Sequence, residues 1–187
     1  MGERWSLLLV RDLLVGPRRY GELARSLKGI GTNLLAARLK ELEKAGIVER
    51  RQGDNGVQVY ALSERGRALE PAILALIRWG MVYGPENQEG FYHQNDWDLL
   101  ALKAFFQPAD AAALSSKIQF RSADFTGWMS IDKLQLEMGL GEIQDADAIV
   151  CGTVRDLFTG PNSPSTLLES GSLPKLESFM STFALRA

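Results

Sequence analysis

The sequence predicts an α+β protein in two units: helices with a short hairpin over residues 1–82, and a sheet with flanking helices over residues 91–187. Three observations predict it. Apolar residues repeat at helical spacing up to residue 45, whereas residues 117–138 alternate with period two. Only residues 83–91, with Gly84, Pro85, Asn87, Gln88 and Gly90, are punctuated enough to form an interdomain linker. The charge is also divided: residues 1–80 carry 14 Lys+Arg against 9 Asp+Glu (net +5), and residues 81–187 carry 7 against 14 (net −7). A basic half joined to an acidic half suggests that only the first meets a polyanion.

Composition excludes several classes. The 187 residues are 45 % hydrophobic and 24 % charged, and no apolar run reaches the ~18 residues of a membrane-spanning helix. The opening segment lacks the pattern of a signal peptide, so a cytoplasmic protein is expected. One cysteine, Cys151, leaves no internal disulfide, and one histidine, His93, excludes any centre that needs two imidazoles. Neither a metal nor a cofactor is expected.

Trp5, Leu8, Leu9, Val10, Leu13 and Leu14 space a first helix over residues 5–15, closed by Gly16 and Pro17. Residues 18–27 read as a short second helix, and Lys28-Gly29-Ile30-Gly31 as a turn anchored by a buried Ile30. Thr32 is expected to cap a third helix running to Ala45 and stopping at Gly46. Its Leu35, Leu39 and Leu42 fall within about 60° of one another. The opposite face offers Asn33, Ala36, Ala37, Lys40 and Lys44, small or donor-bearing residues suited to a major groove, with Glu41 towards one edge. Two β-rich runs then flank Gly53-Asp54-Asn55-Gly56, a strong hairpin signal. Arg50 and Arg51 lie on an arm of this hairpin. Ser63 caps a further helix over residues 64–80, interrupted near its start by Gly66 and Pro71. Three helices and a two-stranded wing make a winged helix-turn-helix, whose main use is duplex DNA recognition.

Residues 2–23, 29–43 and 60–69 resemble, in motif order and spacing, the HxlR family of bacterial regulators. The resemblance implies a homodimeric transcription factor related to the MarR group. Many such proteins carry a cysteine ahead of the Trp-Ser-Leu-Leu segment and some sense oxidants with it. The sequence given holds none there, so that mechanism is not carried over. On this reading Asn33, Ala37 and Lys40 face bases, Thr32 opens the recognition helix, Lys44 and Arg38 approach phosphates, and Arg50 and Arg51 serve the wing. Arg38, at the edge of the apolar stripe, alternatively braces the wing internally. The dimer surface is expected on the first helix and on Leu69, Ile73, Leu76 and Ile77.

In the second unit an apolar helix is predicted over residues 97–106, then strands over 117–121, 127–131, 133–138 and 146–153, and helices over 155–158 and 174–185. Residues 145–158 and 167–179 resemble the late strand and closing helix of the sterol-carrier-protein-like fold, which implies a small hydrophobic ligand. Phe105, Trp128, Phe179 and Phe183 are expected to line its pocket; a structural or dimer-bracing domain is the alternative. Cys151, in an apolar run, is expected to be a buried inert thiol. Asp96, Asp98, Asp145 and Asp147 read as caps and solvated turns. No nucleophile–base pair stands out, and the chain is not expected to be an enzyme. Two functions remain: a DNA-binding regulator controlled by a small apolar ligand, or a lipid-binding or protein-interaction module whose winged helix serves assembly only.

Overall fold

The computed structural model describes residues 4–53, 56–84, 94–111, 114–160 and 162–183. It divides into two compact units, Met1–Tyr92 and His93–Ala187. The expected linker from residue 85 on, His93, and the Asp54-Asn55 pair of the hairpin turn lie outside the described residues.

The first unit contains α1 (Arg4–Val15), α2 (Tyr20–Ser26), α3 (Thr32–Lys44), β1 (Val48–Gln52), β2 (Gln58–Leu62), α4 (Glu64–Arg67) and α5 (Glu70–Tyr83). Leu9, Leu13, Leu23, Leu35, Leu39 and Leu62 are its largest fully buried side chains. Each stabilises the fold by about 1.5–3 kcal/mol relative to an exposed position. Three expectations change here. Residues 18 and 19 precede α2, because Arg18 forms a bridge to β2: its N–H donates to Tyr60 O (2.9 Å) and its carbonyl accepts from Tyr60 N (2.8 Å). The cap of α3 is Gly31, with Thr32 as the first helical residue, so the hydroxyl caps nothing. Ile30 is only half-buried.

Helix α3 stops as the sequence predicts. Gly46 adopts φ +68°, its N–H donates to Glu43 O, and the Ile47 N–H donates to Leu42 O, both at 2.9 Å. This pair of bonds is a Schellman cap, and glycine supplies the left-handed residue without a Cβ penalty. The chain leaves the cap directly into β1. Ser63 caps α4 by accepting from Gly66 N, and its hydroxyl donates to Gly46 O at 2.6 Å.

The second unit contains α6 (Trp97–Ala104), a 3-10 turn (Pro108–Ala111), β3 (Ser116–Arg121), β4 (Thr126–Asp132), β5 (Gln135–Leu140), β6 (Ala148–Cys151), α7 (Val154–Thr159), α8 (Pro164–Leu167), β7 (Leu168–Gly171) and α9 (Leu173–Met180). Its sheet has the order β5-β4-β3-β6-β7, antiparallel except where β6 runs parallel to β3. Residues 133 and 134 are not strand: Lys133 (φ +48°) and Leu134 (φ +68°) form the two-residue turn between β4 and β5.

Alternation gives the sheet two unlike faces. Ile118, Phe120, Met129, Ile131, Ala148 and Val150 are fully buried on the face covered by helices, where Leu176 and Phe179 of α9 also reach zero exposure. The other face carries Lys117, Gln119, Arg121 and Trp128. Residues 141–147 join β5 to β6 by crossing it. Gln119 Nε2 donates to Gly141 O (3.1 Å) and its Oε1 accepts from Ile143 N (2.8 Å). Lys117 Nζ donates to Gln144 O (3.4 Å), and Arg121 holds Glu142 at 2.8 Å. The odd-numbered residues of β3 thus grip the crossing segment, which is how Gln119 is buried and satisfied.

The crossing ends at Asp147. Its carboxylate accepts from Lys117 N at 2.9 Å and pairs with Lys175 of α9, while its backbone carbonyl accepts from Ser172 N at 2.8 Å. Burial raises the Asp147 pKa, but those hydrogen bonds and the two lysine charges outweigh it and hold the carboxyl below its ordinary value. A group with a depressed folded pKa stabilises the fold above its unfolded pKa and loses that contribution as pH falls through the folded value. Asp147→Asn is therefore expected to lower the unfolding midpoint of this unit at pH 7, with the gap to wild type closing below about pH 4. Thermal unfolding at pH 7 and pH 3 checks it; a gap independent of pH would refute the ionic contribution.

Two further sequence readings are corrected in this unit. Cys151 is exposed, because it closes β6 on the face opposite Ala148 and Val150. Asp96 does stand at the N-cap of α6, but it and Asp98 are buried rather than solvated, and Asp98 faces Arg155 of α7 at 3.9 Å.

Candidate nucleic-acid interface

Helix α3 presents the predicted face. Thr32, Asn33, Ala36, Ala37, Lys40 and Lys44 are exposed, while Leu35, Leu39 and Leu42 are buried on the opposite side. Tyr20 fixes its start by donating from Oη to Thr32 O at 2.8 Å. That bond ties α2 to the first turn of α3 and sets the angle between the two helices of the motif.

The three arginines placed near this face are all engaged within the protein. Arg38 is half-buried and pairs with Glu41, one turn on along the same helix. Arg51 pairs with Glu49 on the same strand. Arg50 makes two bonds to Glu43, Nε to Oε1 at 2.5 Å and Nη2 to Oε2 at 3.1 Å, and lies over the Tyr60 ring at 5.4 Å from its centroid. The hydrogen bond to Glu43, then electrostatic attraction to Tyr60 and to the Glu43 carboxylate, raise the Arg50 pKa further, so this side chain stays a cation. Sequence reading placed Arg50 on the wing but missed its link to α3. The signal was present as an acidic residue at the wrong end of a helix.

The four aromatic residues proposed to wall a pocket do not converge on one space. Phe179 and Phe183 are buried 5.0 Å apart, and Phe106 and Phe158 complete a layer around Phe183 at 5.8 and 5.5 Å. Phe105 is half-buried, next to Phe106 in sequence and after the last turn of α6. Trp128 lies on the opposite face of the sheet, stacked over Gly139, where an added Cβ would come within 2.7 Å of the indole. Alternation in β4 decides this: Met129 and Ile131 take the helix-covered side and Trp128 takes the other. Among the described residues no helix is long and apolar enough to cross a membrane, and no group of three or more His, Cys, Asp or Glu is placed to hold a metal.

The first unit has known relatives. The model of the HxlR-like helix-turn-helix family matches residues 1–88. An uncharacterized HTH-type transcriptional regulator of Mycobacterium tuberculosis is 42 % identical over 87 residues, 46 % of this chain and 54 % of that protein. The chain thus spans about half the length of that relative. The HTH-type transcriptional regulator YodB of Bacillus subtilis is 38 % identical over 81 residues, 42 % of this chain and 72 % of YodB. A crystal structure of quinone-bound YodB is 36 % identical over 44 % of this chain and 88 % of that one, with a TM-score of 0.39. Through its first 88 residues, the chain belongs to the HxlR-like helix-turn-helix family.

Proposed function

We propose that the chain regulates transcription by binding duplex DNA as a homodimer, reading base edges with the exposed face of α3. The observation that carries this reading is the face itself: Asn33, Ala36, Ala37, Lys40 and Lys44 stand exposed together on a helix anchored by three buried leucines. Small side chains let the backbone approach the groove, and amide and ammonium groups supply donors. Asn33, Ala37 and Lys40 are assigned to the major groove, Thr32, Arg38 and Lys44 to flanking phosphates, and Arg51 to the wing. The protein acts by binding rather than catalysis.

A second copy is expected to cover α5, where Leu76, Trp79 and Tyr83 are 53, 62 and 72 % exposed at helical spacing. Ile73, first expected in this interface, is instead buried within its own unit. The second unit is read as a sterol-carrier-like domain that takes a small hydrophobic ligand. Its support is the resemblance of residues 145–158 and 167–179 together with a sheet covered by helices on one face. Such a ligand controls transcription only if it binds the DNA-competent and incompetent dimers with different affinity.

Selection from a randomised duplex pool, followed by salt titration, tests the reading. Asn33→Ala is expected to cost about 1–3 kcal/mol on the selected duplex and little on mixed sequence. Arg51→Ala is expected to weaken both alike and reduce the salt slope by about 0.9. Undiminished binding by both variants would sink the assignment. Dimerisation retained in Leu76→Glu/Trp79→Glu would reject the α5 interface. Bound dodecanoate that leaves the selected-duplex affinity unchanged would reject ligand control.

A further inference from the structure

We propose that Arg50 is a positioning residue: clamped by Glu43 and seated on Tyr60, it locks the wing to the recognition helix and does not contact phosphate. The proposal rests on the DNA-binding reading above and adds a role that differs from the one sequence position suggests.

Four observations carry it. Both oxygens of Glu43 are taken by two nitrogens of Arg50, the fork arrangement that fixes a guanidinium in direction as well as distance. The backbone that carries the ring is held on both sides, because Tyr60 pairs with Arg50 across the hairpin and exchanges two backbone bonds with Arg18 on its other side. The clamp spans two elements across a short joint. Only Ala45, Gly46 and Ile47 separate α3 from β1, and Gly46 gives that joint its bend. Finally, Glu43 stands in the last turn of α3, where an anion opposes the helix dipole. Pairing with Arg50 offsets that opposition. Arg51 differs in each respect: its partner Glu49 is on the same strand, so the pair joins no second element.

Chemistry argues against a phosphate role for Arg50. To reach DNA it must give up both bonds of the Glu43 fork and its seat on Tyr60 together, whereas Arg38 and Arg51 pair with a glutamate of their own helix or strand. The lock instead sets the distance between the groove read by α3 and the groove reached by the wing tip. A protein with a loose wing still binds DNA through its charge but loses discrimination.

Three variants test this: Glu43→Gln, Arg50→Gln and Arg50→Lys. The duplex recovered by selection and a mixed-sequence duplex are titrated at several salt concentrations, and amide exchange of residues 48–62 is followed in the free protein. The ratio of the two affinities is expected to fall about tenfold in all three variants, a typical coupling for residues in one network. The salt slope stays at the wild-type value, and wing amides exchange faster. Arg50→Lys is decisive, since lysine keeps the charge but not the fork. If Arg50→Lys binds like wild type while Arg50→Gln lowers the salt slope by about 0.9, Arg50 is a phosphate contact and the proposal is overturned. If wild type shows no salt-dependent duplex binding, the regulator reading fails. The exchange data then still decide the lock: faster wing exchange in all three variants supports it, and unchanged exchange overturns it.

Discussion

Gly66→Ala is expected to destabilise the winged unit by about 3 kcal/mol, the upper end of what an added methyl does in a packed site. An added Cβ would lie 2.2 Å from the carbonyl oxygen of Ile47 and 3.1 Å from a methyl of Leu62. The first of these is backbone and cannot step aside by changing rotamer. Moreover, Ile47 O is where three connections meet. It accepts from Ser63 N at 3.0 Å, it lies within 3.2 Å of the Ser63 hydroxyl, and it belongs to the residue that closes the α3 cap. Moving it disturbs the entry to the wing, its exit and the start of α4 together. Native-state hydrogen exchange of α1 and α3 amides reports this unit separately from the other. Protection equal to wild type would show that α4 shifts away freely.

Asp12→Ala should cost a similar amount, about 3 kcal/mol, for a different reason: it breaks a buried charged network rather than crowding one. The Asp12 side chain is fully buried in α1, yet its carboxylate takes two bonds from Arg11, at 3.0 and 2.8 Å, and one from Ser26. Its backbone carbonyl accepts from buried Arg18 Nε at 3.2 Å. Ser26 ends α2, so the carboxylate is the polar tie between the first helix and the helix that supports α3. Asp12→Asn keeps an acceptor for Ser26 and should lose roughly half as much. The same exchange measurement ranks the three proteins. An alanine variant as stable as wild type would mean the carboxylate's desolvation already cancels its bonds.

Much of the first unit was legible because its signals are local. Leu35, Leu39 and Leu42 mark one helix face without reference to any other element, and Gly46 marks its own left-handed turn. What escaped depends on partners distant in sequence. Asp12 lies between Leu8 and Leu9 on the helical wheel, an acid on an apolar face, and has no visible partner until Ser26 is brought to it. Arg18 reads as helix until Tyr60 offers a strand edge. The cap of α3 slipped by one residue because glycine at position 31 takes the extended conformation as readily as a capping threonine. In the second unit, alternation separates Trp128 from Met129 but does not say which face the helices cover. The segment that crosses the polar face has no periodicity to announce it. Cys151 shows the same limit: an apolar run suggests burial, but in a strand alternate residues point apart.

The crossing segment has a kinetic consequence. Strands β3, β4 and β5 follow one another through a short connection and a two-residue turn, so their pairing closes small loops. Strand β6 instead lies beside β3 only after residues 141–147 have traversed the sheet, and Lys117 then meets Asp147 thirty positions later. Loop closure of that length repays nothing until the meander exists to receive it. The folding nucleus is therefore expected in the meander, with β6, β7 and α9 added on the downhill side of the barrier. Weakening the β3–β4 hairpin is expected to slow folding and releasing Asp147 mainly to hasten unfolding, which stopped-flow refolding and unfolding of the two variants would check. The lifetime of the folded unit is thus expected to be set at its last-made joint, where one aspartate holds a strand and a helix by its carboxylate and a turn by its carbonyl.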